Sequence, residues 1–236
     1  MEKPIALVSE QAWGMVEAVE KSGIKSQVVF MFGFGEAIER FKAMQAAGQT
    51  GAIGLMTARY FCNALHAPWW RMRDKSGGQV VEQVIHMFDL LRYLMGDPVS
   101  VYSRQENLFH RDVPDYTIED VSATVVGFSN GGLGVIYATN NAIPGKWIND
   151  YRVVAQHQVA DFQNANNATF TQTNQPGNPV ITVESAKDFR RSLTLDLIRA
   201  IRTNGETRTP MHEGAKSLDL VLAARRSAET RAEIIL

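Results

Sequence analysis

Apolar positions in this chain change period several times, and the changes mark its elements. From Ser9 to Ser22 they recur at helical spacing, and Gly23 closes the run. Ile24–Phe34 reads as a strand, because Val28, Val29, Phe30 and Phe32 crowd into it. Glu36–Ala47 returns to helical spacing, and Gly48-Gln49-Thr50-Gly51 leads into a strand at Ala52–Phe61. Residues 77–96 predict a helix. Strands follow at Val99–Glu106, Val121–Ser129, Leu133–Thr139, Tyr151–Phe162, Ala168–Thr173 and Val180–Glu184. Asn130-Gly131-Gly132 between two β-rich runs is a hairpin turn. Gln163–Gln175, rich in Asn, Gln and Thr, reads as loop and hairpin. Helices over 187–204, closed by Asn204-Gly205, and over 213–231 end the pattern. Strands in succession with few helices between them predict an α+β fold: a large, mostly antiparallel sheet with helices on one face.

The run 77–96 carries the most chemistry. A double glycine opens it, Gly96 closes it, and Pro98 prevents continuation. On a continuous helix Gln79, Glu82, His86, Asp89 and Tyr93 share one face, at spacings of 3, 4, 3 and 4. Val81, Val84, Ile85, Phe88, Leu91 and Leu94 surround that stripe, so the helix should be buried over much of its circumference. A carboxylate and an imidazole one turn apart can hold and deprotonate a hydroxyl. The same spacing also suits an amphipathic helix whose polar face meets solvent.

Composition narrows the class. At 236 residues and 45% hydrophobic, the chain can bury a full core. A net charge of −1 gives no electrostatic case for nucleic acid or an anionic membrane. No apolar stretch approaches the roughly 18 residues of a spanning helix. The single cysteine, Cys62, excludes an internal disulfide and fits a reducing, cytoplasmic setting, and the N-terminus has no secretory pattern. Within a strand-like run Cys62 reads as a small core hydrophobe.

The order of segments resembles the Gfo/Idh/MocA oxidoreductases: Glu2-Lys3-Pro4, a helix, a strand, a helix, then Gly51-Ala52-Ile53-Gly54. Gly77-Gly78 followed by Glu82, His86 and Asp89 is similar to the family's second signature. Glu119-Asp120, the Asn130-Gly131-Gly132 turn and Gly214-x-Lys216-Ser217-Leu218 with Ser227 extend the likeness along nearly the whole chain. The resemblance implies hydride transfer between NAD(P) and a sugar- or polyol-like hydroxyl. It implies His86 as general acid/base, Lys3 on the same oxygen, and Glu82 orienting the substrate, where the family more often has Asp. Glu2, Lys3 and Pro4 would border the cofactor. Asp89 and the loop residues Trp69, Trp70 and Arg71 would border the substrate, because indoles and guanidinium groups can stack on sugar rings and donate to hydroxyls; the two tryptophans equally suit packing of the loop onto the core.

By the same resemblance, residues 1–34 are a remnant of a nucleotide-binding domain and residues 35–236 a substrate-binding and oligomerisation domain. Most of the nucleotide-binding half is expected to be missing, leaving this chain unable to bind NAD(P) or turn over by itself. Gly33-Phe34-Gly35-Glu36 follows a predicted strand and opens a helix, but it lacks the third glycine of a dinucleotide loop and puts Glu36 near any phosphate. It reads better as a turn between domains. A homodimer or homotetramer through the sheet is expected, because Val121, Ala123 and Val125 alternate on one strand with Val135 and Tyr137 on its neighbour. Two other readings stay open: a non-catalytic assembly module, and a metal-dependent sugar isomerase using Glu82, His86 and Asp89. No metal site is expected, since these make too few ligands. His66, His110, His157 and His212 read as loop or surface residues.

Overall fold

Alternation within the strands decides the layering. Strand β3 (Val121–Phe128) buries Ser122, Thr124, Val126 and Phe128 and turns Ala123 and Val125 outward. Its hairpin partner β4 (Leu133–Thr139) buries Gly134, Ile136 and Ala138 and turns Leu133 and Tyr137 outward. With β1 (Ile53–Phe61), β2 (Pro98–Glu106), β5 (Tyr151–Ala155), β6 (Gln158–Phe162), β7 (Ala168–Gln172), β8 (Val180–Val183) and β9 (Ile234–Ile235) they form one nine-stranded sheet. Its order is β8-β7-β6-β5-β1-β4-β3-β2-β9, and β1–β4 is its one parallel pair. The computed structural model describes all 236 residues, and the predicted α+β class, with a mostly antiparallel sheet, is what it contains.

Helices cover the inner face. Helix α1 (Ser9–Ser22) ends on Gly23 in the left-handed region, as the sequence predicts. Helix α2 (Glu36–Ala46) buries Ala37, Ile38, Phe41 and Met44, with Phe41 edge-on to Phe162 at 5.7 Å. After a short helix α3 (Arg73–Ser76), helix α4 (Ile85–Met95) lies between the sheet and helix α6 (Met211–Thr230). Every residue of α4 from Ile85 to Arg92 is buried, so the expected burial around its circumference is present. Each apolar side chain enclosed there, such as Ile85, Leu90 or Leu91, contributes about 1.5–3 kcal/mol. Helix α5 (Phe189–Thr203) starts on Asp188, whose carboxylate accepts the N–H groups of Arg190 and Arg191.

Three expectations need correction. Ile24–Phe34 is not a strand of the sheet. Val28 N–H donates to the Thr209 carbonyl and Val29 N–H to the Met1 carbonyl, and Phe32–Phe34 forms a 3₁₀ turn. Val28, Phe30 and Phe32 instead join the same core as the sheet, Val28 beside Gly214 of α6 and the two phenylalanines against His86 of α4. Tyr151–Phe162 is two strands, because Gln156 and His157 turn the chain back on itself. The helix over 77–96 is not uniform: Val80–Val84 winds as a π-helical turn before α4 begins. β9, with two residues, went unpredicted.

Gly78 sits at φ +107°, and a Cβ there would lie 2.5 Å from Glu119 Oε2. Gly78→Ala is expected to destabilise the fold by about 3 kcal/mol through strain and forced displacement of a buried carboxylate. Thermal or urea unfolding reads this directly, and an unchanged midpoint would contradict it.

Candidate functional site

The helix bearing the polar stripe starts on a carboxylate. Glu119 is buried, its Oε1 accepts the Val80 N–H at 2.7 Å, and its Oε2 meets the Arg73 guanidinium at 3.3 Å. Burial pushes the Glu119 carboxyl up from its ordinary range, against the opposing pull of Arg73 and the Val80 N–H. From this start the π turn places one more residue in the first turn than an α-helix would. The 3-4-3-4 stripe consequently does not form one face.

Lys3 reaches this turn from the other end of the sequence. Its Nζ donates to Glu82 Oε1 at 2.9 Å and to the Glu82 carbonyl. The second carboxylate oxygen of Glu82 accepts the Trp70 indole N–H at 2.8 Å. The Lys3–Pro4 bond is cis. Gln83, the next residue, places Nε2 3.0 Å from His66 Nε2, so that the imidazole nitrogen accepts and its proton sits on Nδ1. Burial lowers the His66 pKa, which keeps that acceptor neutral. The His66 ring packs against Trp70 at 4.4 Å and Trp147 at 5.6 Å, and Tyr60 meets Trp147 edge-on at 6.0 Å.

His86 lies one turn further along, edge-on to Phe30 and tilted against Phe32, with centroids 6.0 and 5.2 Å away. Its Nδ1 is buried without a hydrogen-bond partner. Burial, reinforced by the Lys3 charge, pushes its pKa down to about 3. The ring is therefore neutral at ordinary pH. Asp89 turns elsewhere. Its Oδ1 accepts from Ser217 Oγ at 3.2 Å, and it lines a cleft of about 340 Å³ with Arg92, Tyr93, Arg208, His212 and Glu213. Burial raises its pKa to about 7, against the opposing pull of Arg92 and Ser217.

The structure thus joins Lys3, Glu82 and Trp70, with His86 near enough to feel the lysine. It does not join Asp89 to them. Arg71 spends its guanidinium on the Leu65 and His66 carbonyls, and Trp69 is exposed. Glu2 is exposed and Pro4 half-buried. His66, Gln83 and Trp147 were missed. Nothing in their own sequence context marks them, since three separate segments must fold together before they meet. Glu82, His86 and Asp89 point to three different sets of partners, and no group of three potential ligands converges on a metal site. Gly33–Gly35 gives no room for a phosphate: a Cβ on Gly35 would fall 2.2 Å from the Ala165 carbonyl oxygen. That oxygen accepts the N–H groups of Ala37 and Ile38, and Asn166 Oδ1 accepts that of Glu36. The start of α2 is satisfied by protein, so the residues present form no dinucleotide cradle there.

The shifted groups make opposite contributions to stability. Asp89, raised to about 7, stabilises at low pH and loses that contribution as pH rises through about 7. His86, lowered to about 3, contributes stability above its unfolded value, near 6.5, and loses it as pH falls towards 3. Between about pH 4 and 6.5 the two slopes, each up to about 1.4 kcal/mol per pH unit, cancel. Above about pH 6.5 the opposing His86 slope fades and the fall due to Asp89 is no longer cancelled. Asp89→Asn should therefore flatten the fall in melting temperature between pH 6.5 and 8, which calorimetry across that range measures. An equal fall in both proteins would refute the assignment.

Known proteins resemble this chain in sequence and in fold. The model of the GFO/IDH/MocA C-terminal domain matches residues 38–159, just over half of the chain. The uncharacterized oxidoreductase YrbE of Bacillus subtilis is 25% identical over 236 residues, covering 96% of this chain and 67% of that protein. The myo-inositol 2-dehydrogenase of Thermotoga maritima is 29% identical over 150 residues, covering 61% of this chain and 43% of that protein. The chain thus spans about two thirds of the first relative, and its match to the second covers under half of that protein. Levoglucosan dehydrogenase in complex with NADH and levoglucosan has the same fold, with a TM-score of 0.90 at 18% identity over 99% of this chain and 72% of that one. The WlbA dehydrogenase from Bordetella pertussis, in complex with NADH and UDP-GlcNAcA, aligns with a TM-score of 0.81 at 24% identity over 100% of this chain and 70% of that one. With its sheet, its glycine-opened helix and its matched domain in agreement, the chain belongs to the GFO/IDH/MocA family.

Proposed function

We propose that this chain is the substrate-side and assembly part of an NAD(P)-dependent oxidoreductase that moves hydride between a nicotinamide and a hydroxyl-bearing carbon of a sugar or polyol. The observation that carries the reading is the Lys3–Glu82 contact, which brings together two segments 79 residues apart beside His86. Myo-inositol, levoglucosan and UDP-GlcNAcA, named with the relatives, are all rich in hydroxyls. The nicotinamide, when bound, supplies the hydride acceptor. The residues of this chain handle the oxygen. The Lys3 ammonium donates to the substrate hydroxyl and favours its deprotonated form, while neutral His86 takes the proton. Glu82 holds Lys3 and directs a neighbouring hydroxyl.

Residues 1–34 are read as the end of a nucleotide-binding domain and 35–236 as the substrate and assembly domain. Gly33–Gly35 is closed to a phosphate by Ala165, and on this reading the chain by itself should not turn over. Calorimetry with NADH and NADPH at millimolar concentration should detect no saturable binding to the chain. Micromolar affinity would overturn that part of the reading. In a protein that also carries a complete nucleotide fold, Lys3→Ala and His86→Ala should each lower turnover by about 10²–10⁴-fold. Near-normal rates in both variants would end the proposal.

The open face of the sheet supports the assembly role. Leu133, Val125, Tyr137 and Val154 lie there at 46%, 41%, 38% and 36% exposure. An apolar face of this kind is uncommon on a soluble monomer, and a two-fold pair is the usual way to cover it. A homodimer, or a tetramer built from it, is expected by light scattering across a dilution series. Tyr137→Asp should shift the mass to that of one chain. A wild-type mass of 26 kDa at every concentration would contradict it.

A further inference from the structure

Trp70 lies in a loop where an indole could stack on a sugar ring, yet its geometry serves a different purpose. The side chain is 2% exposed, so neither ring face is free for a ligand. Its one polar atom, Nε1, donates to Glu82 Oε2, while Lys3 holds Oε1 of the same carboxylate. The two donors thus grip opposite oxygens, and the carboxylate plane is set by both. Trp70 is itself fixed. Its carbonyl accepts from Ser76 Oγ at 2.8 Å, and the His66 ring packs on it at 4.4 Å. His66 in turn meets Gln83, the residue after Glu82. Two packed rings therefore hold two consecutive side chains of the π-helical turn, Trp70 holding Glu82 and His66 holding Gln83.

We infer that Trp70 is a positioning residue: its indole N–H fixes the Glu82 carboxylate, and through it the direction of the Lys3 ammonium. The functional importance of Lys3 rests on the reading proposed above, but the positioning itself does not. With Lys3 alone on Oε1 the carboxylate could still turn about that contact, because its Oε2 has no other donor among the hydrogen bonds of the structure. The length of the glutamate fits this clamp, since its carboxylate must reach the loop of Trp70 and the segment of Lys3 at once.

The test uses the chain as it stands, without nucleotide or substrate. Lys3 is acetylated under pseudo-first-order conditions and its rate followed by peptide mass spectrometry. Trp70→Phe keeps an aromatic ring but removes the N–H, and should raise the Lys3 rate about fivefold, the loss of one hydrogen bond's worth of restraint. Trp69→Phe, one residue away and exposed, should leave it unchanged. Glu82→Gln should raise the rate as well, and the double variant Trp70→Phe/Glu82→Gln no further than Glu82→Gln alone, because both act through one contact. An unchanged Lys3 rate in a folded Trp70→Phe protein, or fully additive effects, would overturn the inference. If Trp70→Phe does not fold, Glu82→Gln compared with the wild type still decides. Its four tryptophans give four indole N–H resonances. In Glu82→Gln the resonance of Trp70 must move well beyond the other three. Four stationary signals would overturn the inference. Because no turnover enters these readings, absence of dehydrogenase activity would count against the proposed function and leave the clamp standing.

Discussion

The buried carboxylate of Glu119 fixes the start of the helix that carries Glu82, His86 and Asp89. A helix enclosed on all sides has no water to satisfy its first N–H groups, so a protein acceptor must be supplied at that end. Glu119 supplies it to Val80, Arg73 offsets the carboxylate's charge, and Gly78 leaves the space that the carboxylate needs. Once that end is set, the turn after it determines which way Glu82 and Gln83 face. The geometry of the site therefore depends on a contact with no member in the site itself.

Two charged groups elsewhere in the core are compensated in the same way. Asp120 accepts three backbone N–H groups, from Leu108, Phe109 and His110, and also the His110 ring. Arg92, almost wholly enclosed, donates to Glu213, Ser217 and Asp97. A buried charge left unpaired would cost several kcal/mol, and these networks avoid it. His86 Nδ1 is a departure, buried among aromatic rings with no partner.

Much of this was legible from the residues, for identifiable reasons. The strand boundaries around Asn130-Gly131-Gly132 were read correctly because period-2 alternation and turn chemistry agree there. Helix α1 and Gly23 likewise gave a local signal that tertiary structure had no cause to override. The segment Ile24–Phe34 misled because an apolar run looks the same whether it joins a sheet or packs on a helix. The polar stripe misled through phase: one π turn displaces every later residue relative to the earlier ones, and spacing alone carries no mark of it. Lys3 was recognised only through the company of Glu2 and Pro4. His66 and Trp147 had no comparable motif. Their meeting depends on the pairing of β1 with β4, which no local pattern encodes.

That pairing is the one parallel contact in an otherwise antiparallel sheet, and it has a topological consequence. Parallel neighbours end at the same edge, so the connections leaving Phe61 and Thr139 emerge side by side. Bridges from Phe61 to Ile148 and from Asn63 to Asn141 hold the two together as they depart. An antiparallel pair would have sent them to opposite ends of the sheet. The cluster of His66, Trp70 and Trp147 is therefore assembled from two connections distant in sequence. The helix start and Lys3 thus meet a cluster whose members depend on the one parallel pair for their proximity.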